Sequence, residues 1–129
     1  MLFHKLIGWH HRHHHTGRIF RRISRKLTLD EYQQVKFENL QIAWNRARTN
    51  LQKIRSERDE MLESMLNAPT INQDEILRVV NIPQLSLNEE MPSVIELYSD
   101  FHTSLNQSQR EQLLMLWHKY QQKWQGCRQ

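Results

Sequence analysis

The chain has 129 residues, a net charge of +4 and a mean hydropathy of −0.79. Only 38% of its residues are hydrophobic, and glycine and proline occur three times each, which excludes a thick globular core and an all-β fold with many turns. The charge is uneven, because residues 1–26 carry +7 with no acidic residue and the rest carries −3. These totals predict a single all-α protein with a basic end.

The first 17 residues are rich in histidine and poor in apolar side chains, so we expect them to form a separate, disordered segment. Imidazole is a common ligand of zinc, copper and nickel. A flexible metal-binding tract is therefore one hypothesis for this segment, although we expect no cofactor to be required. Its candidate ligands are His10, His11, His13, His14 and His15.

Residues 18–26 place Ile19, Phe20 and Ile23 on one side and cations on the other, which predicts a short basic amphipathic helix. The seven cations of residues 1–26 also allow salt-dependent binding to nucleic acid or weak contact with an anionic membrane. No motif that reads base sequence is present, so such binding would be non-specific.

A long helix is predicted from about residue 28 to residue 66. Thr28 and Glu31 have the spacing of a capping box, and Leu27 precedes the cap as a hydrophobic staple does. At ~1.5 Å per residue the helix would span roughly 55–60 Å, so we expect an elongated protein. Apolar residues recur along it at steps of three and four, with Arg58 as an interruption: Leu40, Trp44, Ala47, Leu51, Ile54, Met61 and Met65.

Three shorter segments follow. A helix is predicted from Asn72 to Pro83, a loop or loose helix over residues 84–90, and a further helix from about Met91. The last helix is predicted to start at Asn106. Asn106 and Gln109 have the spacing of a capping box, as Thr28 and Glu31 do 78 residues earlier. Residues 18–126 should therefore form one helical domain.

The two helix starts resemble the Leu-Thr-x-x-Gln motif of the Spy/CpxP, or LTXXQ, family of periplasmic proteins. The first copy reads Leu27-Thr28-Leu29-Asp30-Glu31, and the second reads Leu105-Asn106-Gln107-Ser108-Gln109, followed by Arg110. Glu31 replaces glutamine in the first, and Asn106 replaces threonine in the second. The similarity covers roughly residues 18–125.

This resemblance implies a bent, all-helical hairpin of about four helices that dimerises into a thin cradle. Family members bind unfolded or stressed envelope proteins without ATP, and some relatives bind or sense zinc, copper, nickel or cobalt. The resemblance implies a periplasmic location. Residues 1–9 do not read as a secretory signal, so the cytoplasm is the alternative.

No Gly-rich phosphate loop, nucleophile elbow or His-Glu-x-x-His motif occurs, so we do not expect an enzyme. The hypothesis is an ATP-independent chaperone or stress adaptor that acts as a homodimer. Its alternatives are metal sensing by the histidine tract and anion binding by the basic end. The expected client-binding side chains on the inner face of the hairpin are Val35, Phe37, Ile42, Arg46, Arg48, Arg55, Arg58 and Leu62.

The cations in that set have a second interpretation. Arginines on a long helix often form a solvated face that pairs with acidic residues one turn away. Glu57, Asp59 and Glu63 are available for such pairs. The lone cysteine, Cys127, allows no internal disulfide, and its role is not assigned.

Overall fold

Four helices make up almost all of the chain that the computed structural model describes, residues 17–127, with side chains to residue 123. We label them α1 (17–27), α2 (Glu31–Leu66), α3 (Gln73–Thr103) and α4 (Gln107–Cys127). Residues 17–127 contain no β-strand. The predicted all-α fold with one very long helix is therefore confirmed.

The long helix ends at Leu66, close to the predicted end, but it begins at Glu31 and not at Thr28. Its cap is Asp30, whose Oδ1 accepts a hydrogen bond from the backbone N–H of Gln33 at 2.8 Å. The Gln33 side-chain oxygen accepts in return from the N–H of Asp30 at 3.1 Å. The predicted box between Thr28 and Glu31 was wrong, because Asp30 and Gln33 supply the same chemistry two residues later.

Thr28 instead follows the end of α1. Its φ is 51°, the left-handed conformation that commonly follows a helix and that glycine or asparagine adopts with least strain. A β-branched residue is an unusual occupant of this position, since its Cβ crowds the backbone there. Thr28 therefore belongs to the α1–α2 connection.

The segments expected as two helices separated by a loop form the single helix α3, with Pro83 and Pro92 inside it. Asn72 caps its start, because Asn72 Oδ1 accepts from the N–H of Glu75 at 3.2 Å. Each proline removes one helical hydrogen bond. The prediction failed because packing outweighs that loss: Val79, Pro83 and Val94 are buried.

Two compact units contain these helices, and residues 17–37 and 101–127 are the described part of unit 1. Its core is built on three phenylalanine rings. The centroids of Phe20 and Phe37 lie 5.3 Å apart, and those of Phe37 and Phe101 lie 4.8 Å apart. Leu27, Leu105 and Leu116 are also buried in this unit. Helix α1 therefore packs on the core of unit 1 through its apolar side.

Unit 2 comprises Glu38–Asp100 and pairs the longer parts of α2 and α3. Asn50 on α2 donates a hydrogen bond from its side-chain amide to Glu90 Oε1 on α3. The buried apolar residues of this unit are few, namely Leu40, Ala47, Val79, Pro83 and Val94. Unit 2 is thus a pair of helices held by a narrow apolar contact.

We expect the Thr28→Gly variant to be more stable than the native chain by about 0.5–1 kcal/mol, because glycine relieves the strain of a positive φ. Denaturant unfolding monitored by circular dichroism measures this. The matched control is Thr49→Gly, an exposed position inside α2, which should lose roughly 0.5 kcal/mol. A loss of stability in Thr28→Gly comparable to that of the control would contradict the left-handed conformation of Thr28 after α1.

Candidate functional site

Two glutamine side chains face each other inside unit 1. Gln33 Nε2 donates to Gln109 Oε1, and Gln109 Nε2 donates to Gln33 Oε1, both at 2.9 Å. The residues are only 6% and 8% exposed. We call Gln33 and Gln109 the glutamine pair.

Both amides of the glutamine pair are fully hydrogen-bonded. The second N–H of Gln33 donates to the backbone carbonyl of Ser104 at 2.7 Å, and that of Gln109 donates to the carbonyl of Leu27 at 3.1 Å. Each side-chain oxygen also accepts from the N–H of its own helix cap, Asp30 or Asn106. Each side-chain amide thus donates two hydrogen bonds and accepts two, so the network fixes the positions of its oxygen and its nitrogen.

The capping box of α4 mirrors that of α2. Asn106 Oδ1 accepts from the N–H of Gln109 at 2.8 Å, and Gln109 Oε1 accepts from the N–H of Asn106 at 3.0 Å. The two boxes lie 76 residues apart, as do the two glutamines. The glutamines therefore serve two purposes: each caps its own helix, and each binds the other helix start.

Sequence reasoning missed Gln33, although a signal for it exists. Leu29-Asp30-Glu31-Tyr32-Gln33 and Leu105-Asn106-Gln107-Ser108-Gln109 share leucine, a capping residue and glutamine at identical offsets. Both copies then end in glutamine, as the motif of the Spy/CpxP family does. The first copy therefore starts two residues later than predicted, at Leu29.

The other residues predicted for the motif differ in how far they are buried. Leu27 and Leu105 are buried, and the carbonyl of Leu105 accepts from Arg110 Nη1 at 3.0 Å. Glu31 is exposed in the first turn of α2. It belongs to the helix itself and not to its cap.

The predicted client-binding residues do not form one surface. Phe37 is 3% exposed and packs between Phe20 and Phe101, so its assignment to an open surface was wrong. Val35, two residues earlier, is exposed in the same unit. In unit 1, only Val35 of the predicted set is open to a client.

In unit 2 the predicted residues divide between two sides of α2. Ile42 and Arg46 are one turn apart and exposed. A second side carries Arg48, Arg55, Arg58 and Leu62, which follow one another at steps of seven, three and four. Arg58 Nη2 contacts Asp59 Oδ1, on the adjacent residue, at 3.0 Å. This ion pair joins adjacent residues and is therefore not the predicted kind, in which an arginine pairs with an acidic residue one helical turn away.

One end of unit 2 contains no buried residue. Residues 48–78, which include the α2–α3 connection, are all exposed or half-buried. Leu66 is 77% exposed, and Ile71 and Leu77 are each 60% exposed. We call residues 48–78 the open end of unit 2. Its apolar side chains are Leu51, Ile54, Met61, Leu62, Met65, Leu66, Ile71, Ile76 and Leu77.

The open end also contains an ion pair. At the start of α3, Arg78 donates to Glu75 and contacts its Oε1 at 2.5 Å. The hydrogen bond and then the positive charge of Arg78 lower the pKa of Glu75. Both side chains are exposed, so the pair adds little to stability.

The predicted metal ligands His10, His11, His13, His14 and His15 lie outside the described residues. Among residues 17–127, no group of three or more His, Cys, Asp or Glu side chains is arranged to hold a metal ion. None of the helices described here is long and apolar enough to cross a membrane.

Comparison of the chain with protein-family models, curated proteins and solved structures finds no match.

We expect Gln109→Ala to destabilise the protein by about 3 kcal/mol or more, because it removes one donated and one accepted hydrogen bond of the Gln33 amide and the partners of the Asn106 N–H and the Leu27 carbonyl. Urea unfolding measures this, and Gln121→Ala, at an exposed position on the same helix, is the matched control. The control should change stability by no more than about 0.5 kcal/mol.

A double-mutant cycle tests the pair itself. Gln33→Ala and Gln109→Ala should each be costly, yet the double variant should lose at least about 1 kcal/mol less than their sum. Strict additivity would mean that the two side chains act separately and would contradict the pairing.

Proposed function

We propose that the protein is an ATP-independent chaperone that binds unfolded proteins at the open end of unit 2. The observation that carries this proposal is that none of residues 48–78 is buried, although the stretch contains nine large aliphatic or methionine side chains. Four of the nine are exposed, namely Met61, Leu66, Ile71 and Leu77, and the other five are half-buried. A contiguous stretch of uncovered apolar side chains is a common mark of a binding surface.

The kind of binding follows from the kind of surface. Flexible methionine and leucine side chains adapt to many shapes, which suits clients of different sequence. The surface offers apolar contact worth roughly 25 cal/mol per Å² covered, without a shaped pocket. Arg55 and the Arg58–Asp59 pair lie beside it and can speed encounter with charged segments. Capture should therefore be fast, weak and reversible.

The resemblance to the Spy/CpxP family supports the same proposal. Both helix starts contain leucine, a capping residue and glutamine, once the first is read from Leu29 to Gln33. From this resemblance we also propose a homodimer and a periplasmic location. The glutamine pair would not contact clients in this scheme, because it is buried and fully hydrogen-bonded.

The experiment is suppression of aggregation of a denatured client by purified protein without ATP. The triple variant Leu66→Gln, Ile71→Gln, Leu77→Gln should bind the client at least about tenfold more weakly, since tenfold corresponds to only ~1.4 kcal/mol of lost apolar contact. The matched control replaces three equally exposed apolar residues of unit 1, Leu114, Met115 and Trp117, by glutamine. The control should retain suppression.

Equal losses in both triple variants, or full suppression by the first, would contradict client binding at the open end. Sedimentation of the same proteins separates clients from self-association. If the first variant loses suppression only because a dimer dissociates, the open end is a contact between two copies and the proposal fails in its present form.

A further inference from the structure

Helix α1 has two chemically distinct sides. With about 100° between successive residues, its cations occupy an arc of about 140°. They are Arg18, Arg21, Arg22, Arg25 and Lys26, and we call them the basic row. The remaining arc carries Ile19, Phe20, Ile23, Ser24 and Leu27.

The second arc is occupied by contacts within unit 1. The ring of Phe20 packs on Phe37, and Ser24 Oγ donates to Gln34 Oε1 at 2.7 Å. Leu27 is buried, and its carbonyl accepts from Gln109. These contacts fix the rotation of α1, so the basic row faces away from the core.

The basic row is open to solvent and lacks acidic neighbours on its own helix. Arg18, Arg21, Arg25 and Lys26 are exposed, and Arg22 is half-buried. The ion pairs of Arg58 with Asp59 and of Arg78 with Glu75 do not involve α1. Arg21 Nε donates only to the carbonyl of Gly17, at 3.2 Å. A concentration of positive charge held on a packed helix is suited to an anionic partner.

We propose that the basic row binds the phosphate backbone of nucleic acid without reading its sequence. From residue 18 to residue 26 the helix rises about 12 Å, a length over which duplex DNA presents roughly seven phosphates. Guanidinium groups are well suited to phosphate oxygens because they donate in a planar fork. The exposed arc holds no aromatic or amide side chain to contact bases, so contacts stay with the backbone.

The packing of α1 favours this partner over a membrane surface. An amphipathic helix binds a bilayer by placing its apolar side among the lipids, with the cations as a second attraction. Here Leu27 is buried, Phe20 packs on Phe37, and Ile19 and Ile23 are half-buried, so much of the apolar side of α1 is already engaged within unit 1. Charge alone remains, and a linear row of cations matches a linear polyanion.

The test measures binding of the full chain to a fluorescent DNA duplex as salt is raised, at about pH 8 so that histidines are neutral. Replacing Arg18, Arg21 and Arg25 by glutamine removes three phosphate contacts. The slope of log affinity against log salt should fall in magnitude by about 2.7. When salt is raised from ~50 to ~200 mM, the triple variant should therefore lose roughly fortyfold less affinity than the native chain loses.

The matched control removes the same charge elsewhere, as Lys53→Gln, Lys119→Gln, Lys123→Gln, all at exposed positions. It should leave the slope nearly unchanged. An equal change in both variants would mean that only net charge matters, and an unchanged slope in the first would also overturn the proposal. So would tighter binding to vesicles containing phosphatidylserine than to the duplex, or a marked preference between two duplexes of unrelated sequence. Aggregation suppression is measured separately, so failure here leaves the chaperone proposal unaffected.

Discussion

The mutual hydrogen bonding of Gln33 and Gln109 is the interaction on which unit 1 depends. The pair joins the starts of α2 and α4, and its two outer N–H groups bind the carbonyl of Leu27, at the end of α1, and that of Ser104, just after α3. All four helices therefore meet at two side chains. Since a buried amide without partners is costly, any shift of one helix would break several bonds at once.

The phenylalanine contacts of unit 1 have a different role. Packing of Phe37 against the tilted rings of Phe20 and Phe101 removes apolar area from water, and this hydrophobic contribution is not directional. The glutamine pair is directional, so it selects one arrangement among those the rings allow. Gln33 and Phe37 are four residues apart and therefore lie on the same buried side of α2, whereas Val35 lies between them on the exposed side.

The sequence predicted those features of the fold that depend on residues close together in the chain. The all-α fold, the end of α2 at Leu66 and the cap at Asn106 follow from composition, helix breakers and spacing. Gln33 could not be chosen by such rules, because Thr28 with Glu31 and Asp30 with Gln33 have the same spacing. Only Gln109, 76 residues away, distinguishes them. The predicted interruption of the helix at Pro83 and Pro92 was wrong for the same reason. Burial of Val79 and Val94 stabilises a continuous helix that contains both prolines.

What each unit leaves exposed follows from what its helices bury. Helix α1 covers its apolar arc with the core of unit 1 and therefore presents cations. In unit 2, α2 buries Leu40 and Ala47, and α3 buries Val79 and Val94, but none of residues 48–78 is buried. That stretch therefore presents aliphatic side chains. The hydrogen bonds of the glutamine pair lie within unit 1, so they do not use the apolar side chains of the open end. Those side chains can remain uncovered and available to a partner.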